Sequence, residues 1–143
     1  MTFHHKIADF DAWRDDFIQK ALKIIKRENI KTIEDIPAFF LYDNMRIYDA
    51  AFCPLYERNE KCHIGIADEK FCCLFCGCPF FDSKYRNDDR HEYGACTNNI
   101  GRGVRNSNGY WDCTDCAIVH DIDWILQNKV YIVGLFGEII SNE

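Results

Sequence analysis

Residues 71–79 read FCCLFCGCP, and residues 111–120 read WDCTDCAIVH. Each stretch holds one C-x-x-C unit, Cys73–Cys76 and Cys113–Cys116. Two intervening residues bend the backbone back, so both thiolates of such a unit can point at one ion. Two units about forty residues apart in a reduced chain are the sequence pattern of a metal site with four thiolates. Cys116 and His120 are four residues apart, the spacing that puts two side chains on one helical face and lets His120 share a centre with Cys116. Gly77, between Cys76 and Cys78, permits a sharp local turn, so Cys78 can face a different ion from its neighbours.

Further candidates lie on both sides of these stretches. Cys53 comes first, then Cys62 followed at once by His63, and Cys96 stands alone in YGACTNN. The full candidate set is Cys53, Cys62, His63, Cys73, Cys76, Cys78, Cys96, Cys113, Cys116 and His120. One tetrahedral ion cannot use so many donors, whereas two zinc ions would use about eight. The expected division puts Cys73, Cys76, Cys113 and Cys116 on one ion. Cys53, Cys62, Cys78, Cys96, His63 and His120 then supply a second. A single Fe–S cluster is the alternative cofactor; it would use about four cysteines and leave thiols over. Cys72 is out of register with the C-x-x-C unit and reads as a small buried hydrophobe.

The surrounding composition favours metal over disulfides. The chain has 143 residues and 9 cysteines, an odd number that fits a disulfide framework poorly. Residues 1–20 carry His4, His5, Lys6, Asp9, Asp11, Arg14 and Asp15 and lack the apolar run of a secretory signal. A reducing, cytoplasmic setting is the expectation, in which cysteine density means metal. No stretch approaches the roughly 20 apolar residues of a membrane helix. A net charge of -6 argues against nucleic acid as a partner. Lys84, Arg86, Arg90, Arg102 and Arg105 are interleaved with Asp82, Asp88, Asp89 and Glu92, which reads as a solvated face of mixed charge. Gly101-Arg102-Gly103-Val104-Arg105 reads as a plain turn. No Ser–His–Asp pattern, phosphate loop or paired-carboxylate motif indicates a familiar hydrolase.

The flanks are of different material. Ala12, Trp13, Phe17, Ala21, Leu22, Ile24 and Ile25 recur at helical spacing, predicting a helix over 11–28 that Asn29 can end. Thr32 can cap a short turn that stops before Pro37. Residues 38–51, AFFLYDNMRIYDAA, are read as a second helix. Helical character returns after His120, in 121–127 and 129–140, although Gly134 and Gly137 weaken the last segment. The predicted fold is a small, irregular α+β domain stabilised by metal, with a loop-rich Cys/His core between N-terminal and C-terminal helices. Residues 1–51 form a helical N-terminal region, and 52–143 a cysteine-rich metal-binding domain ending in a helix.

The order Cys53, Cys62-His63, Cys73-x-x-Cys76-x-Cys78-Pro79, isolated Cys96, then Asp112-Cys113-x-x-Cys116 with His120 resembles the cysteine-rich small domain family. The resemblance spans roughly Phe52 to Ile125. It implies a zinc-finger-like, metal-binding domain and an accessory link to corrinoid metabolism. The functional expectation is a zinc-binding accessory or interaction protein with a protein partner. The alternatives are an Fe–S redox protein, and a thiolate or metal enzyme or sulfur carrier using a spare thiol such as Cys72 or Cys78.

Overall fold

The computed structural model describes residues 10–97, 103–113 and 116–141. Five helices and two small antiparallel sheets make it a small α+β domain. Helix α1 spans Phe10–Arg27, one residue from its expected start and end. Phe10, Phe17, Ala21, Ile24 and Ile25 form its buried stripe. Asp11 in the first turn and Lys26 and Arg27 in the last match the helix dipole. Asn29, at φ 56°, ends the helix in the left-handed region that asparagine tolerates.

The expected helix over 38–51 is instead two short ones, α2 at Asp35–Phe39 and α3 at Tyr42–Tyr48. The Thr32 hydroxyl accepts from the Asp35 N–H at 3.1 Å in the turn that leads into α2, whose N-cap residue is Glu34, without a side-chain cap. The helix does not stop before Pro37 but begins two residues ahead of it. Proline is tolerated there because a first-turn N–H has no partner within the helix. The break at Leu41 has a tertiary cause. Leu41 bridges Cys72 in antiparallel fashion, and Phe71 bridges Asp121. The Tyr42 N–H donates to the Phe71 carbonyl at 2.7 Å, and the Cys73 N–H to the Phe40 carbonyl at 2.8 Å. From the other side the Cys72 N–H donates to the His120 carbonyl at 2.7 Å. Residues 71–73 thus run as an extended segment held between 40–42 and 120–121. That pairing brings Cys73 and His120 together.

Helices α4, Ile122–Gln127, and α5, Val130–Ser141, follow. Asp121 caps α4, accepting from the Asp123 N–H at 2.9 Å. Phe17, Ile24 and Ile25 from α1, Phe40 and Tyr42, Phe71 to Phe75, and Ile125, Ile132 and Phe136 belong to one continuous core. Burying each such side chain contributes roughly 1.5–3 kcal/mol. Among the described residues no helix is long and apolar enough to cross a membrane.

Strand β1, Phe81–Asn87, pairs with β2, Glu92–Cys96, placing Phe81 opposite Cys96. A second small sheet pairs β3, Val104–Arg105, with β4, Trp111–Asp112. Tyr93 bridges Tyr110 and so joins the two sheets. Gly109, at φ +88°, lies against the His91 carbonyl, where any Cβ would overlap. Arg105 is not the solvated charge the sequence suggests. Its guanidinium donates to the carbonyls of Tyr93, Gly94 and Gly109 and stacks on Trp111. Arg86 and Lys84 do keep to the surface, paired with Asp88 and Asp11.

Candidate metal centre

His120 anchors the site. It is 2% exposed, and its ring stacks on Phe71 with centroids 4.6 Å apart. Its Nδ1 lies 2.8 Å from the Cys72 carbonyl. A carbonyl can only accept, so Nδ1 is the donor and Nε2 is aimed into the site. This is the arrangement that orients a metal-ligating histidine. Nε2 lies 3.5 Å from the Cys62 sulfur. Cys62 is exposed as a residue, yet its sulfur turns in towards this buried ring. The ligand atoms of Cys62, Cys76 and His120 all lie within 4.8 Å of one another. Cys73 joins them through a hydrogen bond with Cys76.

The charges within this group are already sorted. The Cys62 thiol is held down at about 2, first by a hydrogen bond with Cys76, then, against the cost of burial, by His120 and His63. Cys73 is lowered too, by the hydrogen bond with Cys76 and by another from Tyr56. Cys76 moves the other way. Lying against both thiolates and buried, it is raised well above the ordinary thiol range. Burial pulls His120 down, but the Cys62 thiolate beside it more than compensates, and its net shift is upward. The group has Cys62 and Cys73 drawn towards the thiolate, His120 drawn towards its charged form, and Cys76 held to its proton. An incoming cation replaces that proton.

Two supporting residues carried no signal in the sequence. The buried Tyr56 hydroxyl has no oxygen or nitrogen partner among the described residues and lies against Cys73. Its place follows from a single turn, Tyr56–Arg58, after Cys53. Arg14 of α1 donates to the Cys78 carbonyl at 3.1 Å and the Phe81 carbonyl at 3.0 Å. Gly77 makes room for it: a Cβ there would stand 2.8 Å from Arg14 Cγ. The glycine is therefore explained by helix approach rather than by a special backbone angle.

The expected division of ligands is not the one formed. Cys73 and Cys76 gather with Cys62 and His120, while the charge neighbours of Cys113 are Cys78, Cys116 and Cys96. The cause is the path of residues 71–73, which ties Cys73 to His120 through the Cys72–His120 backbone pairing. Cys78 lines the same pocket as Cys76, and Cys96 and Cys116 are among the groups that act on its charge. His63 stands between the two sets, with Nδ1 3.2 Å from the Cys62 sulfur and Nε2 3.1 Å from the Cys113 carbonyl. Cys53 flanks the first set, but burial raises its thiol and keeps it protonated. Cys72 is fully buried, and its thiol donates to the Pro37 carbonyl at 3.3 Å, as a structural cysteine does. His91 is exposed.

No protein-family model matches the chain, and no curated protein or solved structure matches it. The likeness to the cysteine-rich small domain family rests on the spacing of its cysteines and histidines. What the geometry defines is a class: a cysteine-rich protein with a Cys–Cys–His group at metal-binding distances.

Proposed function

We propose that this chain is a zinc protein in which Cys62, Cys73, Cys76 and His120 hold the ion, and that the ion is structural. The observation that carries the reading is the mutual approach of the Cys62, Cys76 and His120 ligand atoms within 4.8 Å. Three sulfurs and one imidazole suit zinc, which takes Cys and His donors in a tetrahedron. Four protein donors leave no open position of the kind a catalytic zinc keeps for water. The ligands come from three separate parts of the chain, so the ion ties the turns of the middle region to the segment ahead of α4. The protein then acts as a metal-stabilised interaction or accessory module, presenting a surface to a protein partner.

Metal analysis of protein purified reduced and without oxygen tests this reading. The expected result is a colourless zinc protein whose Co(II) form shows thiolate-to-cobalt absorption. Cys62→Ser combined with His120→Ala should remove the component from three thiolates and one imidazole. A brown protein containing iron and inorganic sulfide would contradict it.

A further inference from the structure

With the first centre read as a zinc site, we infer that Cys78, Cys96, Cys113 and Cys116 form a second site, all thiolate, for a divalent ion of the zinc class. The chain brings these four together by independent routes. The Phe81 N–H donates to the Cys78 carbonyl, and Phe81 pairs with Cys96 across the β1–β2 hairpin. The Thr97 N–H returns to the Phe80 carbonyl at 2.8 Å, fixing the chain just past Cys96. The Tyr93–Tyr110 bridge sets β2 beside the strand that ends at Asp112 and delivers Cys113. The Cys116 N–H donates to the Cys113 carbonyl at 2.9 Å. That carbonyl also receives His63 Nε2 at 3.1 Å.

All four cysteines line one pocket, which Cys76, His63 and His120 of the first centre also border and which Phe80 and Trp111 help to wall. An ordinary buried cysteine looks different here. Cys72 is 0% exposed and satisfied by a carbonyl, whereas these four come to one pocket from three parts of the chain. Among the described residues, the group drawn within 4.8 Å is Cys62, Cys76 and His120. The second set stands wider than that first group. This site is nested inside the first, whose ligands Cys76 and His120 bracket it in sequence. Arg14, donating to the Cys78 carbonyl, ties it to α1.

Ion counting on the reduced full chain, with Co(II) as the probe, tests the assignment. Native mass spectrometry should count two Co(II) ions per chain. Cys113→Ser with Cys116→Ser should bind one, leaving the spectrum of three thiolates and one imidazole. Cys62→Ser with His120→Ala should also bind one, with an all-thiolate spectrum. Should these variants fail to fold, alkylation of the wild-type protein decides. Cys78, Cys96, Cys113 and Cys116 should resist iodoacetamide with zinc bound and react once a chelator is added. The second site is overturned if the wild type binds one Co(II) and the Cys113/Cys116 double variant keeps the same spectrum. It is also overturned if the four cysteines react as fast with zinc as without it; the first centre then stands. Failure to bind any ion would overturn both centres.

Discussion

The helical flanks and the cysteine-rich middle are held together by different means. In α1 the stripe Phe17, Ala21, Ile24 and Ile25 is almost fully buried, and Ile125, Ile132 and Phe136 answer it from α4 and α5. That region is ordered chiefly by apolar burial. Between Cys53 and Cys116 the chain is mostly turns, two-stranded pairings and short 3₁₀ segments. Residues 71–75 and Phe80 join the apolar core, and outside them carbonyl and thiol contacts order single points. Burial cannot offset the conformational entropy of such a stretch, roughly 1–2 kcal/mol per residue for the backbone. The contrast teaches that one chain can divide its stability between a packed frame and ion-tied turns, and that the two should fail separately.

Removing the metal should have the largest effect. Structural zinc contributes about 10–16 kcal/mol in finger peptides, comparable to the whole stability of a domain. Chelation of the reduced protein should therefore abolish amide protection in 53–120 while much of the helical circular dichroism remains. Loss of both together would break the comparison. Truncating the frame comes next. Phe136 is 1% exposed, and Phe136→Ala should cost about 3–5 kcal/mol in denaturant unfolding without changing the Co(II) spectrum. A changed spectrum would mean that frame and centre are not separable.

Smaller effects sharpen the account of the site. Tyr56→Phe removes the hydroxyl against Cys73 and should weaken Co(II) binding by about 10–100-fold, the usual cost of losing a supporting contact. Unaltered affinity would show the phenol to be packing only. The pH dependence is the smallest per step. Cys76, raised well above the ordinary thiol range, holds a proton that an ion must displace, and the upward shift of His120 adds proton competition as pH falls. Acidification favours the protonated, metal-free form, and affinity should fall about tenfold per pH unit for each proton displaced. Cys62, at about 2, is already a thiolate and adds no proton release near neutrality. Affinity constant from pH 8 to pH 6 would contradict this proton balance.

The same division governed what could be read from sequence. Helix α1 was legible because its buried positions repeat every three or four residues, and Asp121 to Gln127 was legible from its apolar positions. The break at Leu41 was not. AFFLYDNM has no period, and the break is set by pairing with Cys72, thirty-one positions further on. Residue types at the centre were likewise legible, since C-x-x-C units and Cys62-His63 announce donors. Their division was not, because two C-x-x-C loops are locally alike. The choice of partners depends on how residues 71–73 run between Leu41 and Asp121. Arg14 seated against Gly77, sixty-three positions away, is equally beyond local reading.

Anomalous scattering at the zinc edge, from crystals of the zinc-loaded protein, tests the central assignment most directly. The account predicts an ion about 2.3 Å from the sulfurs of Cys62, Cys73 and Cys76 and about 2.0–2.1 Å from His120 Nε2. An ion bound instead by Cys73, Cys76, Cys113 and Cys116 together, with His120 uncoordinated, would contradict it.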